Sequence, residues 1–191
     1  MKKNLIIFAI VGLAILAGAG SAMVRLLVFP DSSSIRVGPW RTSPATGSEN
    51  AGPTLRAIIA ANGLLALTHK EAIYFVAATD SSGSFLSGSC RYRVEGRDPD
   101  ARWWSLTVYG LDRFLIPNPA KRYSASGANV TRDAQGRFTI RLASAAQAGN
   151  WIFVVPGHQF LLNLRAYNPS PAMLANPGGA ELPSIIREGC A

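Results

Sequence analysis

The chain has 191 residues, 48% of them hydrophobic, with 19 basic against 11 acidic residues and a formal net charge of +8. This length suits one folded domain with a short extension, because compact domains commonly hold about 100–150 residues. The basic residues are scattered and form no run, which argues against a surface that follows nucleic-acid phosphates. We therefore expect no nucleic-acid partner.

Residues 1–25 form an apolar N-terminal segment that starts with two lysines and carries no further charge until Arg25. A helix of roughly twenty such residues extends about 30 Å, which matches the hydrocarbon core of a bilayer. Small residues at positions 17–22 also suit a cleaved secretory signal, so both alternatives stay open. We favour a retained anchor with a cytoplasmic N-terminus, because apolar residues resume after Arg25 and the lysines precede the segment. Either alternative exports the rest of the chain.

The next segment, residues 26–52, is rich in Pro, Ser and Gly. It shows no sustained hydrophobic period, which predicts a linker or a segment that wraps the body, with Trp40 pinning it there. A helix is then predicted from Pro53 to about Thr68, because proline suits the first helical turn and apolar residues recur at helical spacing. The residues on that apolar face are Leu55, Ile58, Ile59, Ala61 and Leu65.

Six short segments rich in β-branched and aromatic residues follow, separated by turn residues, which is typical of a sandwich or barrel. Their short links favour antiparallel neighbours, because a parallel crossover usually needs a dozen residues or more. The tail after Pro169 holds three more prolines and is predicted to run irregularly over the surface. Residues 53–191 are thus predicted to form one β-sandwich domain. The predicted strands are 72–79, 89–96, 102–110, 137–143, 150–155 and 160–167.

The chain has two cysteines, Cys90 and Cys190. In an exported protein such a pair forms a disulfide more often than a metal site or a reactive thiol. We therefore predict a disulfide that ties the C-terminal tail to the body.

Residue types that support catalysis or metal binding are sparse. The two histidines, His69 and His158, each stand beside a predicted turn, where solvated histidines are common. The serine-rich stretch 81–89 lacks the Gly-x-Ser-x-Gly elbow of α/β-hydrolases, and the chain has no glycine-rich phosphate loop. We predict no metal, no cofactor and no catalytic residue, although an enzymatic role stays open.

Two of the predicted strands have one apolar face and one mixed face. Side chains alternate across a strand, so Trp104, Leu106 and Val108 should enter the core while Trp103 points away. The mixed faces combine aromatic area, hydroxyls and a guanidinium, which suit sugars and anionic small molecules. Alternatively, the linker, helix and tail cover these faces and Arg165 pairs with a carboxylate. The mixed faces hold Trp103, Ser105, Thr107 and Tyr109 on one strand, and Leu161, Asn163, Arg165 and Tyr167 on the other.

Four stretches occur in order along the chain: WWSLTVYG (103–110), NPAKRYS (118–124), DAQGRFTI (133–140) and NWIFVVPGHQFLLNLRAYNP (150–169). As a set they resemble the signatures of the bacterial family known as domain of unknown function 1214, over about residues 70–169. The whole chain is similar to its short, single-anchor envelope subgroup, which lacks the associated domain of unknown function 1254. The chain departs from the pattern at Gly110, where family members often have an acidic residue.

The resemblance implies a jelly-roll-like β-sandwich. The predicted fold is therefore mainly β, an antiparallel jelly-roll-like β-sandwich with one packed α-helix, preceded by an N-terminal transmembrane helix. The family has no agreed catalytic set, so none is carried over. Its motifs include Arg122 and Tyr123, which join the ligand-binding candidates. The complete set of candidates is Trp103, Tyr109, Arg122, Tyr123, Arg165 and Tyr167.

These observations predict a single-pass protein of a bacterial inner membrane with its body in the periplasm, or a periplasmic protein if the signal is cleaved. Its predicted function is non-catalytic: a ligand-binding module or an accessory subunit of a membrane assembly. The expected partners are the membrane, a membrane protein or an envelope glycan. The alternative is an envelope hydrolase or carbohydrate-active enzyme that uses carboxylates such as Asp112 and Glu95.

Overall fold

A computed structural model describes residues 2–28, 34–61 and 66–190 of the chain. The fold is mainly β and consists of two sheets that face each other across one hydrophobic core. The predicted fold class is therefore confirmed. The described helices are α1 (Lys2–Val28), α2 (Pro53–Ala61) and α3 (Pro171–Ala175), with a 3₁₀ turn at Pro177–Gly179.

The larger sheet has six strands, and every neighbouring pair in it is antiparallel. The smaller sheet has four strands, of which one pair is parallel. In spatial order, the six-stranded sheet contains β1 (Ile35–Val37), β2 (Trp40–Thr42), β3 (Ala72–Ala77), β9 (Phe160–Pro169), β5 (Ala101–Gly110) and β6 (Ser124–Ser126). The four-stranded sheet contains β10 (Ser184–Cys190), β4 (Cys90–Gly96), β7 (Phe138–Ala143) and β8 (Asn150–Phe153).

Helix α1 is long and apolar enough to cross a membrane, or to serve as a signal sequence, over Ile6–Val24. None of that stretch is buried within the protein. The apolar surface of a helix in this position is therefore available to lipid.

The core forms where the inward faces of the two sheets meet. Trp104, Leu106 and Val108 of β5 are buried, as the alternation predicts. The Trp104 ring stacks on Phe138 of the opposite sheet at 4.8 Å between centroids. Tyr92 of the smaller sheet meets Phe160 of the larger one edge-on at 5.9 Å. Aromatic contacts therefore join the two layers directly.

The linker predicted at 26–52 is corrected in part, because it contributes β1 and β2 to the six-stranded sheet. The two strands form a hairpin whose turn contains Gly38 at φ 58°, a backbone conformation that favours glycine. Trp40 is fully buried, and its Nε1 donates a hydrogen bond to the Pro183 carbonyl at 2.8 Å. Trp40 thus holds the segment to the body, as predicted. Residues 29–33 lie outside the described residues.

The tail predicted to be irregular is also corrected. Residues 184–190 form β10, which pairs antiparallel with β4 along the edge of the smaller sheet. Burial of Ile185 and the backbone pairing with β4 offset the conformational entropy that is lost when this segment is ordered. The predicted disulfide is present between Cys90 and Cys190, at directly paired positions of the two strands.

Strands β7 and β8 pair in parallel, contrary to the expectation that such short links join antiparallel neighbours. The register sets Ile140 beside Asn150, so the chain needs to return only about 10 Å along the strand after Ala143. The link at 144–149 can extend about 20 Å, which suffices for this return. A short link can therefore join parallel neighbours here, because only four residues of each strand are paired.

Helix α2 ends earlier than predicted. Residues 66–68 are not helical, and the Leu67 amide donates to the Tyr74 hydroxyl at 3.0 Å. The sequence carries Asn62-Gly63, a pair that is typical of helix ends, between Ala61 and these residues. Residues 62–65, which include the predicted face residue Leu65, lie outside the described residues.

Asp80 fixes β10 against the loop that follows β3. Its carboxylate is 1% exposed and accepts hydrogen bonds from the backbone amides of Ser82 and Ser84, each at 3.0 Å. The second carboxylate oxygen lies 3.0 Å from the Arg187 guanidinium on β10. Burial raises the pKa of Asp80, but the hydrogen bonds from Ser82 and Ser84 and the Arg187 charge outweigh burial, so its pKa is lowered from 3.8.

We expect Asp80→Asn to lower the free energy of unfolding by about 1–3 kcal/mol at neutral pH. A carboxyl with a lowered folded pKa stabilises the fold above its unfolded pKa and loses that contribution as pH falls through the folded value. The difference between Asp80→Asn and the unmutated protein should therefore shrink in acid. Urea unfolding at about pH 7 and about pH 2.5 measures it. A difference that stays constant over this range would contradict the assignment.

Candidate functional site

The outer face of the six-stranded sheet forms the floor of a cleft. The strand register places Arg41, Val76, Asn163 and Thr107 side by side on four neighbouring strands. Arg165 lies one row away on β9, between Tyr74 and Ser105. Side chains in such rows are about 5 Å apart, so those of these residues that line the cleft, which exclude the buried Thr107, can contact one bound molecule together.

The cleft has a roof made by helix α2. Leu55, Ile58 and Ile59 of this helix line the cleft opposite the sheet, and Leu67 lines it beyond the helix. The cleft volume is about 840 Å³. This volume lies in the range of small-molecule sites, which is about 300–1,000 Å³.

Arg165 is held in a defined orientation on the floor. Its Nη2 donates to the Tyr109 hydroxyl at 2.6 Å, and its Nη1 lies 3.5 Å from Thr107 Oγ1. The guanidinium carbon also lies 5.3 Å from the centre of the Tyr109 ring. Within the described residues, no carboxylate lies within ion-pair distance of Arg165. The alternative in which Arg165 pairs with a carboxylate therefore finds no partner among the described residues and stays a prediction.

The charged groups among the described cleft residues have one sign. Four arginines, Arg36, Arg41, Arg113 and Arg165, are among the described residues that line it, and no Asp or Glu is. Neighbouring guanidinium groups without carboxylates raise the local electrostatic potential, and the low-dielectric walls strengthen it. This arrangement attracts anions.

Two buried polar atoms at the cleft have no hydrogen-bond partner among the described residues. They are Oγ1 of Thr42, the last residue of β2, and Oδ1 of Asn163 on the floor. Thr42 is only 4% exposed. Buried polar atoms are usually satisfied, so these two mark places where a bound molecule can supply a partner.

Three of the six predicted ligand-binding residues, Tyr109, Arg165 and Tyr167, line the cleft. Trp103 does not line it, but its ring lies 5.0 Å from that of Tyr167 and is 41% exposed. The strand alternation therefore places these four residues on one face. Their role in binding stays a prediction.

Arg122 and Tyr123 lie apart from the cleft. The Arg122 guanidinium lies 5.4 Å from the centre of the Trp151 ring on β8. The Tyr123 carbonyl accepts a hydrogen bond from the Val108 amide at 3.0 Å, next to the core. The structure thus does not bring these two candidates together with the other four.

Several cleft residues, above all Arg36 and Arg41, were not predicted from the sequence. The signal was present as a short alternation, since Ile35 and Val37 flank one arginine and Trp40 and Thr42 flank the other around a Gly-Pro turn. Each strand has three residues, which is too short for a periodic pattern to stand out. Arg113 was missed because it lies in a loop.

The two carboxylates that were named for the alternative enzymatic function interact with other residues, outside the cleft. Glu95 of the four-stranded sheet pairs with Arg93 at 2.5 Å. Asp112 accepts a hydrogen bond from the Phe114 amide at 3.0 Å in the loop after β5. Among the described residues, no group of three His, Cys, Asp or Glu side chains could hold a metal ion. Neither carboxylate lines the cleft.

Comparison with known protein families identifies one match. A family profile described as "Protein of unknown function (DUF1214)" matches residues 71–171. No curated protein matches the chain. The matched region includes β3, β5 and β9, the central strands of the cleft floor.

Two solved structures are similar to the chain. The VPA0106 protein from Vibrio parahaemolyticus is 23% identical with a TM-score of 0.62, and the match covers 91% of this chain and 43% of that one. An uncharacterized protein from Burkholderia cenocepacia is 17% identical with a TM-score of 0.43, covering 87% of this chain and 38% of that one. This chain therefore spans less than half the length of either. The first similarity supports the fold alone.

Proposed function

The chain belongs to the family of proteins of unknown function DUF1214, and from that premise we propose a function based on the site itself. The protein is a non-catalytic binding module that holds a small anionic molecule in the cleft between α2 and the six-stranded sheet. Helix α1 anchors it to the inner membrane of a bacterium, and the body works in the periplasm.

The observation that carries the proposal is the environment of Arg165. Tyr109 and Thr107 orient the guanidinium, and Arg41 lies in the adjacent row of the same face. A preoriented arginine can donate two parallel hydrogen bonds to a carboxylate or phosphate, and charge-assisted bonds of this kind are about twice as strong as neutral ones. The cleft thus favours an anion over a neutral molecule of the same shape.

A binding role also agrees with what lines the cleft. Arginine, tyrosine, asparagine and threonine side chains there supply donors and acceptors, while no described Asp, Glu, His, Cys or Lys lines it. General acid–base catalysis uses those residue types and tyrosine, and of these only tyrosine is among the described residues that line the cleft. We therefore propose binding rather than turnover.

We expect Arg165→Gln to weaken anion binding by about tenfold to a hundredfold, because a hydrogen bond to a charged group contributes about 1.5–3 kcal/mol. The probe is 1-anilinonaphthalene-8-sulfonate, an anion with an aromatic body whose fluorescence rises in apolar sites. The measurement is its fluorescence titration against the full chain in phosphatidylcholine nanodiscs, with empty nanodiscs subtracted.

The matched control is Arg137→Gln, which removes the same charge from an exposed position before β7. This control should bind the probe as the unmutated protein does, and a melting curve shows whether each variant is folded. Equal weakening in both variants, or no probe binding to the unmutated protein, would overturn the proposed function.

A further inference from the structure

We infer that the anion held in the cleft carries a single acyl chain, so that the ligand class is a single-chain lipid anion. This inference rests on the proposed function, because it specifies what the binding module holds. The head is a carboxylate or a phosphate bound at the arginines, and the chain lies under helix α2.

The cleft combines a polar and an apolar part. Three of its arginines, Arg36, Arg41 and Arg165, belong to sheet strands, as does Asn163. The apolar residues Leu55, Ile58 and Ile59 belong to α2. Leu161 and Val76 extend the apolar lining across the floor. A bare anion or a sugar would leave this apolar surface in contact with water, whereas an amphipathic molecule covers both parts.

The length of the cleft also suits an acyl chain. Tyr167 and Leu161 both line the cleft, and they are six residues apart on β9. At about 3.3 Å per residue, this part of the floor extends about 20 Å. An inorganic anion fills only a small fraction of that distance, whereas an extended chain can follow it.

The cleft also lies close to the membrane anchor. Helix α2, which forms the roof, contacts helix α1. Helix α1 presents an exposed apolar stretch long enough to cross a bilayer. The cleft is therefore built next to the part of the protein that meets lipid.

The cleft has an exposed apolar edge at one end. Phe85 lines the cleft and is 68% exposed. Arg113 also lines it, and its neighbours in the loop after β5 expose large apolar side chains. Those exposed residues are Leu111, Phe114 and Leu115. Apolar residues beside an arginine suit contact with an anionic lipid surface, from which a chain could enter.

The test is displacement of the bound fluorescent probe by a series of saturated fatty acids: octanoate, decanoate and laurate. Each methylene group that enters the cleft should lower the Kd for free ligand by about fourfold, which corresponds to about 0.8 kcal/mol per buried methylene. Acetate and inorganic phosphate test whether the head alone binds. Dodecanol tests whether the charge is required, and dodecyl phosphate against laurate distinguishes a phosphate head from a carboxylate head.

Two substitutions at neighbouring positions of α2 distinguish ligand bound in the cleft from ligand dissolved in the bilayer. Ile59 lines the cleft, whereas Ala60 is exposed on the same helix. The ratio of Kd for Ile59→Gln to that for the unmutated protein should rise from octanoate to laurate, while the ratio for Ala60→Gln stays near one. Partition of the ligands into the nanodisc is the same for all three proteins and cancels in these ratios.

The outcomes distinguish this inference from the proposed function. A Kd that is the same for octanoate and laurate, while Arg165→Gln still weakens probe binding, overturns the acyl chain and leaves the anion-binding module. If dodecanol binds as tightly as laurate, the ligand does not need a charged head, and the inference of an anionic head is overturned. A ratio for Ile59→Gln that does not change with chain length places the chain outside the cleft and overturns the inference.

Discussion

Replacing both Cys90 and Cys190 by serine is expected to lower the free energy of unfolding by about 4–5 kcal/mol. The disulfide closes a loop of 100 residues and therefore restricts the unfolded chain strongly in the chain-entropy model. In the folded protein it joins the start of β4 to the end of β10. Urea unfolding of the oxidised protein and of the double variant measures the loss.

Reduction of the unmutated protein is the natural control, because it removes the same crosslink without changing the side-chain volume much. The reduced protein and the double variant should unfold at the same urea concentration. We expect β10 to retain part of its stability through Ile185 and the ion pair between Asp80 and Arg187. A loss below about 1 kcal/mol would contradict a stabilising crosslink between these strands.

Trp104→Ala is expected to cost about 3–5 kcal/mol, the range for truncating a large buried aromatic residue. Trp104 is 2% exposed and stacks on Phe138, so its loss opens a cavity between the two sheets. Its Nε1 also donates to Asp98 at 3.0 Å, and that bond disappears with the ring. The difference in free energy of unfolding follows from the urea concentrations at the two unfolding midpoints, provided that the two proteins have the same m-value.

Trp103→Ala is the matched control on the neighbouring residue of the same strand. Trp103 contacts Tyr167 but remains largely accessible, so its truncation should cost about 1 kcal/mol or less. Equal losses in the two variants would mean that Trp103 is as much a packing residue as Trp104. The two substitutions together measure which tryptophan the fold depends on.

Much of the fold could be predicted from local patterns. The alternation in β5 and β9 correctly separated the core residues from the mixed face, because a strand has a fixed two-residue period. The family and the disulfide were also correct. Tyr109, Arg165 and Tyr167 could be named as candidates because they lie on long strands whose alternation is easy to see.

The rest of the site required three-dimensional information. Arg36 and Arg41 come from a segment with little local signal, and only pairing with the edge of β3 aligns them with Asn163 and Thr107. Strand β10 and the parallel pair of β7 and β8 were missed for the same reason, since both depend on which neighbour a short strand meets.

The sequence therefore determines which face of each long strand is apolar, because burial of that face is a property of local alternation. It does not determine what lies over the opposite face. Helix α2 is apolar on one side, and that property alone is compatible with packing on any sheet surface. Only the tertiary structure brings Leu55, Ile58 and Ile59 to the same cleft as Arg165, because the two segments are about a hundred residues apart and meet only when the whole domain packs.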